Sequence, residues 1–149
     1  ILVKYDLPGI VLDHQNLSGA TFDEANLQQA SFRAATLHHT KFQNANMENA
    51  NLTGADLDEA DLFKANLTGA HLNEARLTNA YLGSALLTNA NLSGADLSGA
   101  NLHFADIRGA DLSNAAVQDT NFKFSRYNLE TRWPAGLEPR MVGAVLHAR

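Results

Sequence analysis

Cysteine is absent from the 149-residue chain, and neither a long apolar run nor a signal peptide is visible. Without cysteine, disulfides and thiolate metal sites are excluded, and no redox compartment is indicated. Because no apolar run reaches about 18 residues, no membrane span is predicted and we expect a soluble chain of unknown localisation. The chain begins with Ile1 and not with Met, which indicates trimming or processing and leaves a removed targeting segment open.

Basic residues are few. Lys and Arg together number 11 against 16 acidic residues, which gives a formal net charge of −5. Nucleic-acid binding requires clustered Lys and Arg to neutralise phosphates. The composition therefore disfavours direct nucleic-acid binding. It permits basic partners, but it does not specify one, because a mild negative charge also aids solubility.

Proline is scarce, and its placement divides the chain. Pro8, Pro134 and Pro139 all lie outside one central block. Proline removes a backbone N–H, so it is avoided wherever neighbouring strands must be hydrogen-bonded. A long block without proline is therefore compatible with backbone pairing along its whole length.

A five-residue repeat fills this block. Every fifth position from Leu17 to Tyr127, 23 positions in all, is apolar or aromatic, and fifteen of them are Leu. The residue two before each is Ala in 19 cases. The residue between is most often Asn or Asp, as in Ala50-Asn51-Leu52. The phase never slips, so the repeat is the dominant structural signal of the sequence.

No regular helix or flat strand buries one residue in every five. Five residues of an α-helix advance about 140°, which would spread the leucines around the helix. A flat strand has period two, so successive leucines would fall on opposite faces. A chain that bends about a quarter turn in each pentapeptide directs Leu and Ala inward on every side. Four pentapeptides then form a coil of about 20 residues, and coils stack at about 4.8 Å.

Glycine and alanine are consistent with such a coil. Of the ten glycines, six share the last position of the pentapeptide, where a positive φ would ease the corner turn. Alanine suits a narrow square core that has room for one large and one small side chain on each side.

The motif A-(N/D)-L-x-x resembles the pentapeptide-repeat family, over roughly residues 10–128. The resemblance implies an all-β fold, a right-handed quadrilateral β-helix of about six coils. Most members of that family have no known activity, whereas a subset resembles DNA in shape and charge and protects type II topoisomerases from inhibitors. The resemblance therefore implies one of these two outcomes for this chain. We divide the chain into an N-terminal lead-in or cap (1–14), the solenoid (15–127) and a C-terminal cap (128–149).

The C-terminal cap is expected to contain a short helix. Pro139 suits a first helical turn, and Met141, Val142, Val145 and Leu146 would share one helical face. We predict that this helix lies on the last coil and that Trp133 covers the coil's open edge.

Histidines and acidic clusters are the candidates for metal or catalytic sites. No two histidines from different coils share a column, which disfavours a metal site; they are His14, His38, His39, His71, His103 and His147. The densest acidic cluster straddles a corner and has no accompanying nucleophile or phosphate-binding loop; it comprises Asp56, Asp58, Glu59 and Asp61. We therefore predict no catalytic residue, no metal, no cofactor and no enzymatic activity.

DNA mimicry requires dense, regular negative charge. Residues 15–125 hold twelve acidic and six basic residues, a difference of −6. That is about one charge per coil, whereas duplex DNA carries nearly three over the same rise, at one per ~1.7 Å. Arg76 also interrupts the column between Asp56 and Asp96. The charge pattern therefore disfavours DNA mimicry. We keep a DNA mimic acting on a type II topoisomerase as the alternative function.

Four large aromatic residues occupy predicted outward positions on one side of the coil: Phe63, Tyr81, Phe104 and Phe124. Exposed aromatic groups of this kind indicate a contact surface. The competing explanation is that the C-terminal cap folds back and covers Phe104 and Phe124. We favour the tail as the cover of Phe124, and a protein partner or a homodimer for Phe63 and Tyr81. The predicted function is a non-enzymatic protein-interaction or structural module.

Overall fold

A computed structural model describes residues 4–148. The parts of the predicted caps at residues 1–3 and 149 lie outside this range. In the described part of the chain, no helix is long or apolar enough to cross a membrane.

Parallel backbone pairing with a spacing of 20 residues builds the molecule. Bridges recur every five residues, from Asp6 paired with Asn26 to Asp106 paired with Arg126. Within a coil, N–H groups donate to both neighbouring coils: Asn51 donates back to the carbonyl of Ala30 (2.8 Å) and Leu52 donates forward to that of His71 (2.7 Å). Each interior coil is therefore hydrogen-bonded to both neighbours on all four sides.

Corners between sides are tight turns closed from Ala to the preceding apolar residue, as in Ala55 N–H to the Leu52 carbonyl (3.0 Å). The residue before Ala has positive φ. The six glycines at this position have φ between 64° and 71°, which confirms the predicted role of glycine. Within residues 4–148, non-glycine residues occupy the same conformation at 18 positions, for example Asn114 at 58°. Left-handed backbone is thus a requirement of the coil and not only a property of glycine.

Leu and Ala form the core, as predicted. The column at 22, 42, 62, 82, 102 and 122 is at most 1 % exposed. The rings of Phe22 and Phe42 stack with centroids 5.2 Å apart, and Phe32 meets both edge-on. Because both inward positions are fully buried in the middle coils, the apolar pattern fixes which side chains point outward.

Hydroxyl side chains replace Ala at three inward positions without leaving their polar groups unpaired. Thr40 Oγ1 donates to the Leu17 carbonyl (3.0 Å) and Thr120 Oγ1 to that of Leu97 (2.7 Å). Ser125 Oγ donates to the Phe122 carbonyl (2.7 Å). Buried hydroxyls are tolerated here because the coil backbone supplies an acceptor within reach.

At the N-terminal side, pairing begins within the predicted lead-in. Asp6 pairs with Asn26 and Val11 with Ser31, at the same spacing as in later coils. Leu7, Ile10 and Leu12 are only partly buried against the core. The division of the chain into lead-in, solenoid and cap stays a prediction.

The C-terminal segment adds two strands and one short helix. Strand β1 (Arg126–Tyr127) pairs in parallel with β2 (Val145–Leu146), and a 3-10 helix spans Pro139–Val142. Gly143, at φ 81°, ends the helix, and Val145 N–H then donates to the Ser125 carbonyl (2.8 Å). The predicted helix is therefore wrong beyond Val142, because edge pairing draws the following residues into a strand.

Trp133 lies where it was predicted. Its ring meets Phe122 and Tyr127 edge-on, with centroids 5.2 and 5.5 Å away. The indole Nε1 is buried and has no hydrogen-bond partner. The indole therefore contributes apolar contact at the end of the core at the cost of one unpaired donor.

The narrow core predicts that Ala90 cannot be enlarged. Ala90→Leu should lower the free energy of unfolding by about 1–3 kcal/mol, because a second large side chain overpacks the coil. Thr88→Leu, an outward change two residues away, is the control and should change stability little. Chemical denaturation of both variants measures the difference. Equal losses would show that the assignment of inward and outward positions is wrong.

The corner conformation gives a second prediction. Asn114→Val should destabilise the protein by about 1–2 kcal/mol, because a β-branched residue resists positive φ. Asn114→Gly should be nearly neutral, since glycine adopts this conformation freely. Thermal melting of the pair checks this. A valine variant as stable as the glycine variant would contradict the left-handed corner.

Candidate protein-contact site

One side of the solenoid carries four large aromatic residues, and we call these residues the aromatic side: Phe63, Tyr81, Phe104 and Phe124. The bridges that join positions 61, 81, 101 and 121 place the four in successive coils. Tyr81 is 43 % exposed, Phe104 54 % and Phe124 45 %, whereas Phe63 is half-buried. The predicted outward placement therefore holds, and three of the four residues are largely open to solvent.

The aromatic side consists of two stacked pairs. Phe63 and Tyr81 have ring centroids 5.6 Å apart and an interplanar angle of 25°. Phe104 and Phe124 are 5.2 Å apart at 20°. Each pair bridges adjacent coils, so residues 18 and 20 positions apart in sequence form one surface. Stacking stabilises the rings against each other but leaves much of their area uncovered.

Gly83 positions the first pair. A Cβ at this residue would lie 3.2 Å from Tyr81 Cζ and 3.4 Å from Phe63 Cδ2, and Gly83 is buried beneath these rings. Its backbone is not left-handed, so the corner does not require glycine here. A Cβ here would require the two rings to move by a few tenths of an ångström, so glycine lets them lie close to the backbone. Sequence reasoning missed Gly83, although its register differs from that of the six corner glycines.

Phe104 and Phe124 occupy the left-handed corner position, at φ 60° and 61°. Among the described non-glycine residues with positive φ, they carry the largest apolar side chains. A bulky residue in this conformation is disfavoured, and an exposed one gains little burial in return. Both costs fall on the same two residues, which is typical of residues kept for contact and not for folding.

His103 extends the second pair. Its ring centroid lies 4.2 Å from that of Phe104 and 5.6 Å from that of Phe124. The sequence indicated an ordinary surface histidine. His103 directly precedes Phe104 and lies 20 residues before Lys123. This register position is the sequence signal that places it on the same side as the four aromatic residues.

The tail does not cover the aromatic side. Phe124 N–H donates to the Gly143 carbonyl (2.8 Å), and Gly143 lies against Lys123. The Phe124 ring nevertheless remains 45 % exposed. The prediction that the tail covers Phe124 is therefore wrong. The tail pairs with the backbone at the edge of the last coil and does not fold back over the side.

Lysines accompany both ring pairs. Lys64 Nζ lies 5.1 Å from the centroid of Phe63, and Lys123 Nζ lies 5.3 Å from that of Phe124. These distances fit cation–π contacts. The site is thus aromatic with a cation at each end. Leu86, on the neighbouring side, is a single exposed apolar residue at 41 %.

The other candidate clusters are held together by ion pairs. His38 Nε2 lies 2.6 Å from Asp56 Oδ2, and Arg76 contacts both Asp56 (3.1 Å) and Asp58 (3.3 Å). Burial would raise the pKa of Asp56, but the His38 hydrogen bond and the Arg76 charge outweigh it and hold that pKa below its usual range. The carboxyl is therefore ionised at neutral pH and is not suited to act as a general acid. Within residues 4–148 no group of three or more His, Asp or Glu side chains could hold a metal.

Asp106 is the buried carboxylate of a second cluster, at 3 % exposure. Arg108 lies 2.7 Å and Arg126 3.0 Å from its Oδ2. Burial would raise the pKa of Asp106, yet the Arg108 hydrogen bond and the two guanidinium charges hold it below its usual value. Bidentate pairing of a buried carboxylate explains why this acidic residue is tolerated at a strand position.

Comparison with known proteins identifies the class. Pentapeptide repeats match the chain in eight copies, over residues 6–33, 30–69, 40–79, 75–114 and 85–123. The chain has the right-handed quadrilateral β-helix of such proteins. It belongs to the pentapeptide-repeat family. No curated protein matches it.

Solved structures of the same family resemble the chain. The pentapeptide repeat protein Rfr23 from the cyanobacterium Cyanothece 51142 is 27 % identical, with 88 % of this chain and 89 % of that chain covered and a TM-score of 0.50. The pentapeptide repeat protein alr5209 from Nostoc PCC 7120 is 30 % identical, covering 72 % and 84 %, with a TM-score of 0.44.

A plasmid-mediated fluoroquinolone resistance protein, QnrB1, shares the fold. A trypsin-treated variant of QnrB1 is 17 % identical, with 98 % of this chain and 85 % of that chain covered and a TM-score of 0.55. At this identity the likeness concerns the coil and not the outward residues.

The low pKa of Asp106 predicts acid sensitivity. A carboxyl whose folded pKa is depressed stabilises the protein above its ordinary pKa of 3.8, and this contribution is lost as the pH falls towards the folded pKa. The parent should therefore melt above Asp106→Asn at pH 7, and the difference should shrink below about pH 4. Thermal melting between neutral and acid pH measures both curves. A difference that stays constant or grows in acid would contradict the ion-pair assignment.

Proposed function

We propose that this protein is a non-enzymatic interaction module that binds another protein through the aromatic side. The observation that carries the proposal is the grouping of Phe63, Tyr81, Phe104 and Phe124 on one side, three of them between 43 % and 54 % exposed. Large aromatic groups left in water forgo roughly 1.5–3 kcal/mol of burial each. Surfaces concentrate such residues where a partner covers them.

A solenoid suits this role. About six coils at about 4.8 Å each give a rigid rod near 29 Å long. Its outward side chains are held by neighbouring coils, so a contact surface exists before any partner arrives. A preorganised surface loses little conformational freedom on binding, which favours affinity.

The described clusters support a non-enzymatic role. Asp56, Asp58 and Asp106 are each paired with arginine. Their carboxylates are committed to neighbouring coils, and no nucleophile with an adjacent base is found among the residues singled out above. These three carboxylates thus have structural partners.

DNA mimicry of a type II topoisomerase substrate is the alternative, and the shared coil with QnrB1 is the observation behind it. The ion pairs weaken it. Arg76 and Arg126 neutralise acidic residues from other coils, so the negative charge is neither dense nor continuous. A gyrase supercoiling assay separates the two functions, because a mimic inhibits or protects the enzyme and an unrelated interaction module leaves supercoiling unchanged.

The partner is a foreign protein or a second copy of this chain. A symmetric dimer would bring two aromatic sides together. Light scattering at high protein concentration distinguishes these cases, since a strictly monomeric chain removes the homodimer.

Affinity capture tests the proposed surface. Two double variants, Phe104→Asn with Phe124→Asn and Phe63→Ser with Tyr81→Ser, are each used as bait in an extract of the source organism. Each should recover at least tenfold less of any partner than the parent recovers. Hot-spot aromatic residues carry most of the binding energy, and a tenfold loss corresponds to about 1.4 kcal/mol. Asn is chosen at the corner because it tolerates positive φ.

Leu86→Ser is the matched control, because Leu86 is an exposed apolar residue on the neighbouring side. It should retain the partner. Full recovery by both aromatic double variants, or equal loss in the Leu86 variant, would refute the aromatic side as the contact surface.

A further inference from the structure

The charges around the aromatic side narrow the kind of partner. From position 61 to position 124 this side carries Lys64 and Lys123, and Asp61 is its one acidic residue. Lys41 lies one coil earlier, in the column of Asp61. From position 41 to position 124 this side therefore carries three lysines against one carboxylate on a chain whose formal net charge is −5, whereas Asp23 and Glu24 lie on the same side in an earlier coil.

Among the described residues, Lys64 and Lys123 differ from several other cations of the chain in having no internal ion pair. Lys4, Arg76, Arg126 and Arg132 each contact a carboxylate within 3.6 Å. In the part of the chain that the structure describes, neither Lys64 nor Lys123 forms an ion pair, and each lies over an aromatic ring. Asp61, the nearby carboxylate, accepts hydrogen bonds from the Phe63 N–H (3.1 Å) and from Gln43 Nε2 (2.5 Å), and among the described residues it forms no ion pair with either lysine. A partner carboxylate can thus reach two lysines that no internal acid neutralises.

The ring geometry points the same way. Phe63 stacks on Tyr81 and Phe104 stacks on Phe124, so one face of each ring is covered by the partner ring. Stacked rings present edges to the surroundings, and ring edges carry partial positive charge that attracts carboxylates. Nucleobases bind protein rings by stacking on open faces. The exposed ring edges therefore suit the carboxylates of an acidic protein segment, and competition by an oligothymidine, described below, tests the faces that remain open.

We propose that the aromatic side, with Lys64 and Lys123, binds an extended protein segment in which an apolar residue is flanked by two acidic residues. This rests on the proposed function. The two lysines lie in coils three steps apart, about 14 Å at about 4.8 Å per coil. An extended chain covers that distance in about four residue steps of ~3.3 Å. Acidic residues at the first and fifth positions, with the apolar residue at the third, then all face the solenoid.

The same charges disfavour a second copy as the occupant. A two-fold dimer through this side would bring Lys64 of one copy towards Lys123 of the other. Like charges at both ends of the contact oppose association. The central apolar side chain of a foreign segment would instead lie over Ser84, between the two ring pairs, where the column holds a small residue.

The probe is the peptide Asp-Ser-Trp-Ser-Asp with blocked ends, titrated into isotopically labelled protein and followed by amide NMR shifts. Shifts should cluster at Gly83, Ser84 and His103. The matched peptide Lys-Ser-Trp-Ser-Lys should bind at least about tenfold more weakly. A Lys64→Glu, Lys123→Glu double variant should reverse this preference. Arg33→Glu, an equal change of charge per site on another side, should keep it.

Equal binding of both peptides, absence of shifts at millimolar peptide, or shifts on another side would overturn the acidic class of partner. Competition by a short oligothymidine at the same amides would overturn it in favour of nucleic acid. Loss of captured partner in the aromatic double variants, together with any of these results, would leave the aromatic side as a contact surface and reject only its acidic ligand.

Discussion

The backbone ladder between residues 20 apart is the constraint on which the rest depends. N–H groups within a coil donate both to the preceding and to the following coil, as Asn51 and Leu52 do. Each interior coil is therefore paired with both neighbours, and a change of register in one would disrupt its pairing with each of them. Two consequences follow. The inward positions must stay large and small in strict alternation, and the corners must adopt positive φ whatever residue stands there.

The ladder also determines how a surface can be made. Residues that touch on the outside come from sequence positions about 20 apart, so Phe104 meets Phe124 and Phe63 meets Tyr81. Because folding relies on the inward residues and on the left-handed corners, outward positions that avoid both constraints and form no ion pair can change with little effect on the coil. The aromatic side has two unfavourable features: its rings are exposed to water, and Phe104 and Phe124 lie at left-handed corners. Neither feature benefits the solenoid itself, which is why a contact with another molecule explains it best.

The repeat alone predicts the coil, the inward column, the side shared by the four aromatic residues and the position of Trp133. Those features depend on periodicity, which is visible in the sequence. Features that depend on particular contacts, and not on the repeat, were not predicted. The strand at Val145 depends on pairing with Ser125, a contact made only once the last coil exists. Gly83 depends on two rings from different coils, and the His38–Asp56–Arg76 network depends on side-chain conformations across three coils.

The central claim is that the aromatic side serves contact and not folding, and one melting experiment tests it most directly. A variant that combines Phe63→Ser, Tyr81→Ser, Phe104→Asn and Phe124→Asn removes all four rings and leaves every inward residue in place. The account predicts a melting temperature within a few degrees of the parent, because three of the four rings are exposed and each stacked pair contributes only about 0.5–1.5 kcal/mol, offset in part by relief of the left-handed strain at residues 104 and 124. A variant that melts far below the parent, or fails to fold, would show that these rings hold the solenoid together and would contradict the account.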